Sequence, residues 1–149
     1  MTGEGGTLET LASWTEAQDA QAFAGTGKYT ARFKLPEREG EWVLDLGDVR
    51  ESARVRINGK DAGMLVALPF RMRVGEFVKA GENVIEIEVT NLAANRVRAL
   101  TKESRDWMIM RDINIVTVDY TEFKPEEWPL VESGLLGPVR LIPMGVAMP

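Results

Sequence analysis

The sequence predicts an all-β fold, a β-sandwich of jelly-roll type with short helical segments and one long insertion, and three observations carry that expectation. Apolar and polar residues alternate in Arg54–Ile57, Phe70–Val74 and Ile85–Thr90, and period two of this kind belongs to strands with one face buried and the other wet. Asn58-Gly59 closes the first run and Gly81-Glu82-Asn83 opens the last. Asn-Gly tolerates the positive φ angles of a tight hairpin turn better than other pairs. Along the whole chain, turn signals at short spacing separate roughly eight strand-like runs, the rhythm of a two-sheet sandwich.

Each element follows in order. Residues 1–6, Met-Thr-Gly-Glu-Gly-Gly, are expected to be a disordered lead-in, and 7–149 a single sandwich domain. Thr7 to Phe23 is helical or irregular, with Leu8, Leu11 and Ala12 on one face and Trp14 placed to plug the bottom of the sandwich. Tyr29, Ala31, Phe33 and Leu35 alternate with polar residues until Pro36 stops the strand. Trp42, Leu44 and Leu46 share the buried face of the next strand. From Leu92 to Asp112 neither period wins, so a helix or a long excursion fits. Ile113 to Tyr120 is β-branched enough for a strand buried on both faces. Thr121 to Gly137 is a loop rich in Pro, Glu and Gly, and Val139 to Ile142 makes a closing strand. A long stretch such as 92–112 inside a compact fold is uncommon without a functional or interface reason.

Composition removes most chemistry. The chain has no histidine and no cysteine, so Ser-His and Cys-His nucleophile pairs, His-ligated zinc, thiolate metal sites and disulfides are all unavailable. With 18 basic and 23 acidic residues, net −5, it offers no general attraction to nucleic acid or an anionic membrane, and no apolar run approaches the ~20 residues of a membrane-spanning helix. Neither is expected as a partner.

The ordered series Asn58-Gly59-Lys60, Gly63, Pro69-Phe70-Arg71, Gly81-Glu82-Asn83 and Thr90-Asn91-Leu92 resembles the galactose-binding-like β-sandwich known as the sugar-binding domain of family 2 glycoside hydrolases. In particular it resembles the copy near the C-terminus of large bacterial enzymes grouped with the family 106 α-L-rhamnosidases. Ser13-Trp14, Gly25-Thr26-Gly27-Lys28-Tyr29, Leu44 to Val49, Ala94-Asn95-Arg96 and Ser133 to Val139 extend the likeness to roughly residues 8–143. Arg73-Val74-Gly75 departs from it, since many relatives carry Asp-Ile-Thr or Asp-Val-Thr there. The resemblance implies a piece of a longer enzyme acting on plant polysaccharide, periplasmic or secreted. Its catalytic acids would lie in a separate barrel that would be this chain's partner. Such sandwiches often hold a structural calcium ion; Asp45, Asp48 and Glu51 supply hard oxygen donors, although their spacing matches no recognised calcium loop. No other cofactor is implied.

Glycoside hydrolysis needs two carboxylates about 5–9 Å apart, one with a raised pKa. Glu86 and Glu88 sit on the wet face of a strand, and Glu37, Glu39 and Glu41 crowd a turn. Glu103, Asp106 and Asp112 lie in the insertion, where a lone sandwich offers no deep cleft. No catalytic residue is therefore assigned. Sugar binding asks instead for flat aromatic faces flanked by amides or guanidinium groups. Trp107 and Trp128, each in loop-like sequence beside charge, are the candidate platforms. Asn91, Asn95 and Arg96, leaving the end of a strand, are the polar counterpart. Two roles compete: a carbohydrate-binding accessory module, or a scaffold that docks the Trp107-to-Met110 cluster against the catalytic barrel and binds no sugar.

Overall fold

The computed structural model describes residues 7–8, 11–37, 40–104 and 124–144, the first two through their backbone alone. Among them are ten strands, one α-helix and two 3₁₀ turns. Strands β1 (Thr7–Leu8), β10 (Val139–Pro143), β3 (Trp42–Asp45) and β7 (Arg71–Arg73) form one antiparallel sheet in that order. Strands β2 (Thr26–Leu35), β8 (Gly81–Thr90), β5 (Ser52–Ile57) and β6 (Lys60–Leu65) form the second. A two-stranded ribbon pairs β4 (Asp48–Arg50) with β9 (Gly134–Gly137). The fold is the all-β sandwich that the alternation predicts. The expected strand at 113–120, and the lead-in at 1–6, lie outside the described residues.

Alternation decides what is buried. Val55, Ile57, Ile85, Ile87 and Val89 of one sheet meet Trp42, Leu44, Val139 and Leu141 of the other in a single core. Trp42 is buried, as its phase with Leu44 requires. The Asn58-Gly59 turn joins Ile57 to Lys60 across a two-residue loop with φ of 52° and 79°, the double positive φ that selects this dipeptide. The run at 70–74, however, does not continue that sheet: β7 crosses over and pairs with β3.

On the outer face of the β2-β8-β5-β6 sheet, opposite charges stand across neighbouring strands: Lys28 with Glu86, Arg56 with Glu88, Arg54 with Asp61 and Lys34 with Glu82. The Arg54 guanidinium holds the Asp61 carboxyl below its ordinary 3.8, and Lys28 holds Glu86 below 4.5. Because both folded values are depressed, their stabilisation is present above the ordinary values. It is lost as pH falls through them to the lower folded ones. Stability should therefore drop as pH falls below the ordinary values of 4.5 and 3.8, less steeply in 0.5 M salt, which screens exposed pairs; urea titrations at both ionic strengths check this.

The N-terminal stretch departs from the helical alternative. Its described residues form β1 and one 3₁₀ turn, Trp14–Glu16, capped by the Ser13 side chain. Trp14 packs against the core as expected, with its ring edge-on to Phe23 and its indole N–H donating to the Tyr29 hydroxyl at 2.6 Å. Ser13 and Ser133, 120 positions apart, bond to each other, the Ser133 amide donating to Ser13 Oγ at 3.1 Å. At the far end of the sandwich the buried Asn83 accepts from the Asn58 side chain and the Lys79 amide and donates to the Lys79 and Gly81 carbonyls.

Candidate functional site

The strand registers gather the loops that follow β3, β6 and β8 at one end of the sandwich, where β2, β5, β7 and β10 begin. Four of the five predicted sugar-binding residues, Asn91, Asn95, Arg96 and Trp128, belong to this end; the fifth, Trp107, lies outside the described residues. The undecided stretch after Asn91 opens with helix α1 (Ala94–Lys102), which packs on a 3₁₀ turn, Pro125–Glu127.

Within that assembly the amides work on backbone. Asn95, only 4% exposed, donates to the Val131 carbonyl at 2.7 Å and accepts from the Val131 amide at 2.9 Å. This reciprocal clamp fastens α1 to the segment before β9. One turn along, Arg98 Nε donates to the Trp128 carbonyl at 2.6 Å. Asn91 serves a different segment, accepting from the Gly25 amide at 2.9 Å and donating to the Phe23 carbonyl at 2.8 Å. It thus fixes the entry to β2 rather than a turn of its own. Trp128 is half-buried, and Arg96 is exposed, with no ion-pair partner among the described residues. Asn95 and Trp128 are thus brought into one assembly, with Arg96 beside them on α1, while Asn91 is turned to residues 23–25.

A cleft of about 510 Å³ at the same end escaped the sequence. One wall is Gly47 to Glu51, which turns from β3 through β4 into β5; the other is Val66, Ala67 and Leu68, with Phe70 beneath. The walls are tied at their base, where the Leu46 amide donates to the Phe70 carbonyl at 2.9 Å and Arg71 Nε to Asp45 at 2.8 Å. Gly47 lets the chain turn here: its φ is +65°, and a Cβ would stand 2.5 Å from the Gly137 carbonyl. Arg50 is clamped by Asp48, Nε and Nη2 each donating at 2.7 Å. That bidentate bond, and then the Asp48 charge, raise the Arg50 pKa further above its ordinary value. Met64, Val66 and Leu68 are 61, 68 and 79% exposed. Period-two spacing alone would suit a buried strand face, but all three are exposed.

The proposed calcium ligands do not gather. Asp45 accepts from the Gly47 amide and from Arg71, and Asp48 from Arg50; no group of three metal-ligating side chains assembles among the described residues.

This sandwich is a glycoside-hydrolase-related domain. It is 34% identical, over 90% of its length, to a Formosa agariphila protein provisionally named a beta-glucuronidase. It also matches a rhamnosidase structure from Novosphingobium sp. PP1Y at 29% identity over 90% of the chain, with a TM-score of 0.64. A beta-glucuronidase of an uncultured Clostridium shares the fold at a TM-score of 0.54, with 24% identity over 87% of this chain and 21% of its own. The chain spans 13% of the Formosa protein and 12% of the rhamnosidase. No protein-family model matches it.

Proposed function

We propose that this chain is a non-catalytic accessory domain of a multidomain glycoside hydrolase acting on plant polysaccharide, of the α-L-rhamnosidase kind, and corresponds to that enzyme's galactose-binding-like C-terminal sandwich. The observation that carries the reading is one of proportion: 90% of this chain aligns with about an eighth of two much larger proteins. The electrostatics support it, because among the described residues the carboxylates whose pKa is displaced, Asp61 and Glu86, are displaced downward by cations. A glycosidase acid needs the opposite shift. Its partners in this reading are carbohydrate and the catalytic domain of the parent.

The commitment of Asn91 and Asn95 to backbone favours a scaffold role for the α1 end. Their amides hold loops in place, leaving the exposed Arg96 to face a neighbouring domain. Incubating the 149-residue chain with p-nitrophenyl α-L-rhamnoside and β-D-glucuronide should release no nitrophenol above the uncatalysed rate. Turnover that disappears on replacing a single carboxylate would overturn the accessory reading.

A further inference from the structure

We propose that Asn58 is a latent deamidation site, held closed by the buried Asn83 and its neighbours. Its side chain converts to aspartate or isoaspartate only in molecules that have opened this end of the sandwich, and the inference is independent of the role of the parent. Asn58-Gly59 is the one Asn-Gly pair in the sequence; Asn83, Asn91, Asn95 and Asn114 are followed by Val, Leu, Arg and Ile. Deamidation begins when the backbone nitrogen of the following residue attacks the side-chain amide carbon, and a following glycine, lacking a side chain, obstructs that approach least. Gly59 is exposed, and nothing stands within 4 Å of the place a Cβ would take. The nucleophile is therefore open to water and base.

The electrophile is not. Asn58 Nδ2 donates to the Phe77 carbonyl at 2.9 Å and to Asn83 Oδ1 at 2.8 Å, while Asn58 Oδ1 accepts from the Val84 amide at 3.0 Å. The Asn58 backbone amide donates to the Val84 carbonyl at 2.8 Å, which fixes the main chain as well. Asn83 is locked in turn by its bonds to Lys79 and Gly81. Swinging Asn58 Cγ onto the Gly59 nitrogen breaks all three side-chain bonds and takes from the Val84 N–H the acceptor it has here. Once they are broken, the Gly59 nitrogen gives its proton to base and bonds to Cγ, the Cγ–Nδ2 bond breaks and ammonia leaves. Water then opens the succinimide at either carbonyl, so one water is consumed and one ammonia released. Neither product fits the closed turn. Aspartate sets an acceptor oxygen against the Phe77 carbonyl and Asn83 Oδ1, where Nδ2 donated. Isoaspartate adds a main-chain carbon to a two-residue loop whose register is fixed by the pairing of Ile57 with Lys60. The conversion is a one-way record of opening.

The test incubates the whole chain in mildly alkaline buffer and follows the peptide containing Asn58-Gly59 by mass spectrometry, which reads the exchange of ammonia for water. The native chain should convert at least about a hundredfold more slowly than the same chain in an unfolding concentration of urea. Slow chemistry reads the equilibrium population of the open form, so Asn83→Ala should raise the native rate at least about tenfold. In the wild type below the urea transition, conversion should rise by the same factor as hydrogen exchange at the Val84 amide. Asn58→Asp, the product made directly, should lower protection at Val84 at least about tenfold. Native conversion within about threefold of the unfolded rate overturns the proposal. So does an Asn83→Ala chain that keeps its dispersed spectrum and converts no faster than the wild type; should that variant not fold, the wild-type urea series decides, and conversion that stays flat while Val84 exchange climbs overturns the proposal. Unchanged protection at Val84 in Asn58→Asp overturns the one-way step.

Discussion

Asn83→Ala should lower the unfolding free energy by about 3 kcal/mol, the larger of the two losses argued here. Asn83 is 1% exposed and engages the Lys79 amide and carbonyl, the Gly81 carbonyl and the Asn58 amide group. An alanine removes every partner at once, and a buried polar group left alone costs ~1–3 kcal/mol. With a urea slope of about 2 kcal/mol/M, the midpoint should fall by about 1.5 M. Asn58→Gly keeps the positive φ of the hairpin while deleting the other half of the network, so the double variant should lose less than the sum of the two single losses. A midpoint shift under about 0.5 M for Asn83→Ala would mean that water replaces the lost bonds and that the network contributes little.

Asn95→Ala should act locally. Its two bonds to Val131 are what fasten α1 to the segment ahead of β9, and their loss should cost about 2 kcal/mol in that region. Hydrogen exchange is the appropriate reading: protection at Val131 and along α1 should fall about thirtyfold, while amides of β8, central in its sheet, keep their rates. Equal loss throughout would show that α1 and the sandwich unfold as one unit. Unchanged exchange at Val131 would show that the clamp is dispensable.

What the sequence made legible was periodicity and turn chemistry, both local. The alternation at 81–90 and the Asn-Gly pair dictate β8 and the β5–β6 hairpin with no distant information needed. The pairing of β7 with β3 was hidden, because Phe70 to Val74 carries the same alternation whichever sheet receives it. The candidate site was less legible still. Asn91 and Asn95 find their partners 66, 68 and 36 positions away, and those partners are backbone groups, which every residue possesses and no side-chain pattern marks. The Met64-Val66-Leu68 series, exposed despite its period-two spacing, shows the complementary limit. Spacing states which residues share a face, and only the rest of the chain determines whether anything covers that face.

The place of β10 orders the birth of the domain. It lies between β1 and β3, so the sheet that begins at Thr7 cannot close until Val139–Pro143 has emerged from the ribosome. The other sheet, drawn wholly from residues 26–90, has all its strands long before. During synthesis one half of the sandwich can therefore stand with its apolar face open while the polypeptide is still being extended. The last of the described strands to be made is the one that shuts it, and a nascent chain stopped short of Val139 would be left as a half-built sandwich for chaperones and proteases to find.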